Sequence, residues 1–268
     1  MNEKLEKFYD SWSKKESEQI EYDVRISESK ARRIISGIQN SIDLKDKKIL
    51  DFGCGYGKTL SIFMEHFSLK EGYGFDFSNS AIEYATSKYS SESTKFYKLD
   101  QLDIKKSVKQ MRSVIGEKKV DAILLIDLLE HIADCRKIII KLAEITNFFI
   151  IKLPLEHSAL DNYFLPKEYP SSKHSNGHLR EFDVNNVRYF IRSLGLTPLI
   201  ENTYIDLDGV FPPFEYPISF KARVFRVVIK SFKVLTSYML PKKNFLKLIG
   251  GGGYYCLAEF DPNHILIP

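Results

Sequence analysis

The sequence predicts an α/β fold, a mostly parallel sheet with helices on both faces. Three observations carry this reading. Between Lys47 and Lys152 short apolar runs of buried-strand length alternate with stretches of helical periodicity. The first run, Lys48-Ile49-Leu50-Asp51-Phe52, ends in three glycines at alternate positions, Gly53, Gly55 and Gly57, before a helical pattern begins at Thr59. Acids also stand at or near the ends of successive runs, Asp51, Asp76, Asp100 and Asp127, where open sheets of this class bind ligands.

The glycine turn narrows the ligand. Glycine tolerates positive φ and has no side chain to hold a ligand off the backbone, and the helix that follows leaves its first N–H groups unpaired. A dinucleotide turn reads Gly-x-Gly-x-x-Gly, but here the third glycine is Gly57 and position 58 is Lys. The phosphate-loop pattern fails too, because no Gly-Lys-Ser/Thr closes a four-residue gap.

The unit continues in order. Gly72-Tyr73-Gly74-Phe75-Asp76-Phe77 is a second short strand whose terminal acid, Asp76, lies 25 residues beyond Asp51, the offset at which nucleotide folds place a ribose-binding carboxylate. Ser78 or Asn79 caps the next helix. A third strand, Lys95 to Leu99, ends at Asp100-Gln101, and a fourth, Val120 to Ile126, runs into Asp127-Leu128-Leu129-Glu130-His131-Ile132. A fifth, Asn147 to Lys152, is closed by Pro154. Asp103 reads as a helix cap, and Glu130 as either a cap near Ile132 or a ligand contact.

Hydrophobic-Asp-hydrophobic-Gly-Cys-Gly-x-Gly at 50–57, the acid Asp76, Asp100-Gln101 and the D-x-L-E-H-h phrase at 127–132 together resemble the class I S-adenosylmethionine-dependent methyltransferases, in their small-molecule branch. The resemblance implies a Rossmann-like seven-stranded sheet whose last strand is antiparallel. It also implies that Gly53, Cys54, Gly55 and Gly57 lie against the methionine part of S-adenosyl-L-methionine, with Asp51 receiving its amino group. Asp76 and the adjoining Phe77 would meet the ribose side, Asp100 and Gln101 the adenine, and Asp127 would complete the cofactor site. In such proteins an N-terminal segment folds over the cleft, which would make Tyr9 and Trp12 cover residues; the alternative is that they anchor a terminal helix, whose pattern runs through Ile26, Ala31, Ile34, Ile35 and Ile38.

A length of 268 residues with 44% hydrophobic composition suits one large α/β domain with additions. We divide it into an N-terminal helical lid (1–46), a cofactor-binding core (47–204), a helical insertion or cap (205–250) and a last core strand with tail (251–268). A net charge of +4 from 39 basic and 35 acidic residues is not a nucleic-acid footprint, and no Asn/Asp-Pro-Pro-aromatic phrase follows the fourth strand. Cys54, Cys135 and Cys256 lack metal-ligand spacing and suggest free thiols in a reducing compartment. With no signal-peptide core and no run long enough to span a bilayer, the expectation is a cytoplasmic protein, monomeric or homodimeric.

After the fifth strand comes the expected acceptor region. It holds Glu156, His157, His174 and Gly177-His178-Leu179-Arg180-Glu181-Phe182, a phrase resembling methyltransferases of sugars and nucleotide-linked metabolites. The small-molecule acceptor is expected to be polar and possibly anionic. His131, Glu156, His174 and Arg180 are pocket candidates, with His178 and then His157 as the proton acceptor, since imidazole titrates near neutrality. No metal is expected, because Gly177 breaks a helix between His174 and His178. Leu196 to Ile205 and Gly253 to Phe260 read as the last strands. Between them a basic helical pattern from Ile218 to Leu240 admits an anionic-substrate cap, a dimer contact, a peripheral membrane contact or an ordinary packed helix. The functional expectation is O-methylation of a small biosynthetic metabolite, the alternative a non-catalytic cofactor-binding partner or regulatory subunit of the same fold.

Overall fold

The structure, a computed structural model, describes residues 17–99, 103–116, 119–156, 158–159, 178–206 and 220–264; Tyr9, Trp12, Asp100, Gln101, His157 and His174 lie outside them. A helix α1 (Ser17–Ile38) leads into alternating β1 (Lys48–Phe52), α2 (Lys58–Phe67), β2 (Glu71–Asp76), α3 (Asn79–Tyr89), β3 (Thr94–Lys98), α4 (Ile104–Ile115) and β4 (Ala122–Ile126). After a 3₁₀ turn at Leu129–His131 come α5 (Cys135–Leu142), β5 (Phe148–Leu155), α6 (Asn186–Ser193), β6 (Leu196–Ile205), α7 (Phe220–Met239), α8 (Lys242–Leu248) and β7 (Gly252–Phe260). The seven strands form one sheet in the order β3-β2-β1-β4-β5-β7-β6, with β7 antiparallel to both neighbours and the first five strands parallel. Strand order reverses direction at β1, so the crevice beyond the carboxyl ends of β1 and β4 is the place where this topology opens.

Strand alternation sends side chains to two cores. Leu50, Phe52, Ile123, Leu125, Phe149 and Ile151 pack with α4, α5 and α6 on one face; Ile49, Ala122, Leu124 and Ile150 pack with α1, α2 and α3 on the other. The end of α1 belongs to this second core, with Ala31, Ile34, Ile35 and Ile38 at most 3% exposed. Each such isoleucine stabilises the fold by roughly 1.5–3 kcal/mol, too much for this half of the helix to detach as a moving cover.

One sequence expectation needs correction. Pro154 does not end the fifth strand, which continues to Leu155 with Pro154 opposite Gly253 of β7. The β4 ladder reaches only Lys152, so beyond it β5 has an open side on which the missing proline N–H breaks no ladder bond. The four-glycine run at 250–253 is divided between turn and strand. Gly250 and Gly251 adopt positive φ, whereas Gly252 and Gly253 are strand residues lying so close to Tyr204 that a Cβ on either would come within 2.4 Å of it. Helical caps are as expected at Ser78, which accepts from Ala81 N, and at Asp103, which accepts from Lys105 N and Lys106 N.

On α7 the apolar residues Val228, Phe232, Leu235 and Met239 recur at alternating intervals of four and three and are exposed. The three cysteines are buried free thiols. Among the described residues no helix is long and apolar enough to cross a membrane.

Candidate functional site

The first half of the site is the turn after β1. Gly53, Gly55 and Gly57 have φ of 84°, 50° and 79°, a left-handed path that non-glycine residues resist. Gly53 N–H and Cys54 N–H both donate to Phe75 O, and Gly55 N–H donates to Asp76 Oδ2 at 2.8 Å. Asp76 Oδ1 accepts from Ser78 N–H at 2.9 Å. The acid at the end of β2 thus holds the glycine turn and the start of α3 together. Burial raises its pKa, and the backbone donors from Ser78, Gly55 and Phe77 pull the other way.

Asp51 has no such support. It is 1% exposed, and neither carboxyl oxygen has a hydrogen-bond partner among the described residues. Burial first, and the charge of Asp76 second, push it up to about 8. An unmatched buried carboxyl is costly, and a cationic amine placed against it would remove that cost. A Cβ built on Gly55 meets nothing within 4 Å, whereas one on Gly57 would strike Phe96 and Ala85. Gly57 is therefore glycine for packing as well as for φ, and Gly55 borders open space. A ligand carrying an amino group and a sugar diol fits this cradle, the amine on Asp51 and the hydroxyls on the remaining lone pairs of Asp76. Cys54 is buried, and burial pushes its thiol well above the usual range. Phe77 packs against the α4–α6 core.

Asp127, expected in the cofactor set, is engaged otherwise. Lys30 Nζ from α1 donates to its Oδ2 at 2.6 Å, and Lys152 Nζ from β5 donates to its Oδ1. Burial alone would raise this carboxyl, but the two ammonium groups override it and hold it well below the usual range. With both oxygens so bound and φ at 50°, Asp127 ties α1 to the ends of β4 and β5. The sequence carried a signal for Lys152, a lysine inside the apolar run Phe148–Leu155, and none for Lys30.

The second half lies past β4. Leu179 N–H donates to Glu130 O at 2.8 Å, and Arg180 donates to the carbonyls of Leu129, Ile132 and Ala133 and to Cys135 Sγ. Arg180, expected in the pocket, clamps residues 178–180 onto the 3₁₀ turn. The clamp brings His178 to His131, with ring centroids 4.7 Å apart, and His178 Nδ1 to Glu156 Oε2 at 2.6 Å. Glu130 caps no helix; Asp134 caps α5, accepting from Lys137 N. The Glu130 side chain is instead fully buried, and neither carboxyl oxygen has a hydrogen-bond partner among the described residues. Burial and then the nearby Asp127 push its pKa far up. Glu130, His131 and His178 each offer a ligand atom, all within 4.8 Å of one another.

The sequence matches the family described as "Methyltransferase domain" over residues 26–199. No curated protein matches it. Among solved structures, a chain from the complex between the Trm112 methyltransferase activator and a methyltransferase of Haloferax volcanii superposes with a TM-score of 0.53 at 14% identity, covering 91% of this chain and 98% of that one. A SAM-dependent methyltransferase from Archaeoglobus fulgidus gives 0.51 at 16% identity, with 88% and 94% covered. One from Thiobacillus denitrificans, in complex with S-adenosyl-L-homocysteine, gives 0.52 at 14% identity, with 86% and 89% covered. At these identities the likeness is one of fold.

Proposed function

The chain belongs to the class I S-adenosylmethionine-dependent methyltransferases, and we propose that it methylates an oxygen of a small polar metabolite, of the sugar or nucleotide-linked kind. The observation that carries the cofactor half is the buried, unmatched carboxyl of Asp51 beside the open space at Gly55. Asp51 would pair with the amino group of the cofactor and Asp76 would accept its ribose hydroxyls, while the glycine turn lets the methionine part approach the backbone. When bound, S-adenosylmethionine supplies an electrophilic methyl group on a sulfonium whose departure is already favourable. The protein's remaining work is to align the acceptor, exclude water and handle one proton.

Support for the acceptor side comes from where Glu130, His131 and His178 converge, past the carboxyl end of β4 and so beside the cofactor crevice. Glu156 holds one ring nitrogen of His178, which would orient the ring for the role of proton acceptor. The complete set Asp51, Gly53, Gly55, Gly57 and Asp76 favours a catalyst over a cofactor-binding regulatory subunit.

The test is a thermal-shift and calorimetric panel of sugars, nucleotide sugars and other polar metabolites in the presence of S-adenosylhomocysteine. The expected result is S-adenosylhomocysteine binding and a further shift from a hydroxyl-bearing metabolite, which S-adenosylmethionine then converts to a methyl ether. His178→Ala should keep cofactor affinity and lose turnover by roughly 10²-fold or more. Failure of the protein to bind either S-adenosyl compound would overturn the reading.

A further inference from the structure

We propose that Glu130, His131 and His178 form a binding site for one borderline divalent cation, Zn²⁺ or a metal that replaces it, with an open position for an oxygen of the acceptor. The inference deepens the proposed acceptor role of these residues and rests on it only for what fills the open position.

Two independent observations lead to it. The first is the donor set. A carboxylate and two imidazoles, from residues 130, 131 and 178, is the three-ligand pattern of catalytic zinc sites and suits other borderline divalent metals. Bonds of about 2.0–2.1 Å would place tetrahedral ligand atoms roughly 3.4 Å apart, so the present separations, within 4.8 Å, require only a small contraction around an ion. The second is Glu130 itself, whose carboxyl oxygens are both buried with no hydrogen-bond partner among the described residues. A buried polar group in that state needs a counterpart. A cation within reach of both imidazoles would supply that counterpart.

Local charge points the same way. Around the cluster stand three carboxylates, Asp127, Glu130 and Glu156, and two lysines, Lys30 and Lys152. Both lysines bond Asp127, the nearby Arg180 guanidinium bonds backbone carbonyls and Cys135 Sγ, and Glu156 bonds His178, so among the described residues no cationic side chain bonds the Glu130 carboxyl. The contact between Glu156 and His178 Nδ1 is also the arrangement that orients a metal-bound imidazole and raises its basicity. His178 would then bind the cation through its second nitrogen, and the cation, more than the imidazole, would favour the ionised form of the acceptor hydroxyl. The clamp made by Arg180 and Leu179 is the device that holds ligands from distant parts of the chain in one place. In sequence Glu130 and His131 are adjacent and His178 belongs to a different loop, so no spacing rule finds the set.

The experiment is titration of the full chain, stripped with a chelator, with Co²⁺ and Zn²⁺, followed by Co²⁺ visible absorbance and calorimetry, with S-adenosylhomocysteine binding measured on the same samples. One Co²⁺ per chain is expected, displaced by Zn²⁺, with Glu130→Gln and His131→Asn each weakening it at least about 100-fold. Glu156→Gln should weaken it roughly 10–100-fold, the range for a residue that orients a ligand. Glu130→Gln removes a buried charge without changing shape, so it should fold, and His131→Asn gives an independent reading. Absence of stoichiometric Co²⁺ and Zn²⁺ binding while S-adenosylhomocysteine still binds would overturn the metal site and leave the cofactor reading intact. Equal Co²⁺ affinity in parent, Glu130→Gln and His131→Asn would overturn it as well, placing the ion elsewhere.

Discussion

Lys30 of α1 and Asp127 of the β4 end meet at 2.6 Å across 97 residues of sequence, and Lys152 joins them from β5. The Lys152 side chain is 4% exposed, while those of Lys30 and Asp127 are 24% and 22% exposed. The two lysines therefore depend on Asp127 unequally. Asp127→Asn strands a buried ammonium and should cost about 3–5 kcal/mol, whereas Lys30→Met, at the wetter edge, should cost about 1 kcal/mol or less. Asp127→Asn combined with Lys152→Met should regain most of the loss. Urea unfolding of the four proteins measures this; equal costs for the two single variants would show that the burial of Lys152 has no energetic consequence.

Asp51 makes stability depend on pH in an unusual direction for a carboxyl. Its pKa rises from 3.8 to about 8 on folding. Between those values the folded state binds the proton more tightly than the unfolded chain, so the contribution is fully present below about pH 4 and is lost as pH rises through 8. Asp51→Asn should be more stable than the parent, by a margin that widens by up to about 1.4 kcal/mol per pH unit across that window. Melting curves of both proteins from pH 5 to 9 test it, and a constant gap would contradict it.

The same group should leave a mark on cofactor binding. An amine can pair with Asp51 only once that carboxyl is ionised, so binding S-adenosylhomocysteine near pH 7 should release close to one proton. Calorimetry in buffers of different ionisation enthalpy reads that number directly. Asp51→Asn should release none.

Gly55 and Gly57 separate ligand space from packing space. Gly55→Ala at φ 50° should lower stability by about 1–2 kcal/mol, from strain alone, yet weaken S-adenosylhomocysteine disproportionately because its Cβ enters open space. Gly57→Ala should lose more stability, since its Cβ falls 2.7 Å from Phe96 and 2.8 Å from Ala85. Paired melting and binding measurements decide; a Gly55→Ala variant with parental affinity would move the cofactor away from this turn.

Asp76→Ala should weaken S-adenosylhomocysteine by roughly 1–3 kcal/mol through the unmatched ribose hydroxyls, and further by releasing Gly55 N–H and Ser78 N–H. Asp76→Asn, which keeps one acceptor oxygen, should be milder. NAD should show no binding to any of the three proteins. If Asp76→Ala binds as tightly as the parent, the ribose acceptor is another residue.

The sequence by itself determined the sheet, the glycine turn and the placement of Asp51 and Asp76, because those depend on apolar periodicity, on φ-permissive residues at fixed spacing and on strand ends close in sequence. Seven strands appear where seven apolar runs stand, and Asp76 ends β2 as its offset from Asp51 implied. Tertiary structure decided the rest. Pro154 stays in β5 because the neighbouring ladder has already stopped at Lys152, a fact of register that no local propensity contains. Lys152 is kept in an apolar strand by Asp127, a partner from the end of β4 that also holds Lys30 of α1. Arg180 braces the turn, and Glu130, a possible helix cap by sequence, is a buried acid beside two histidines, because the segment at 178–180 docks on the turn at 129–133. Short-range chemistry can be read along a chain; burial and charge compensation depend on which distant residues close over a group, and only the folded molecule decides that.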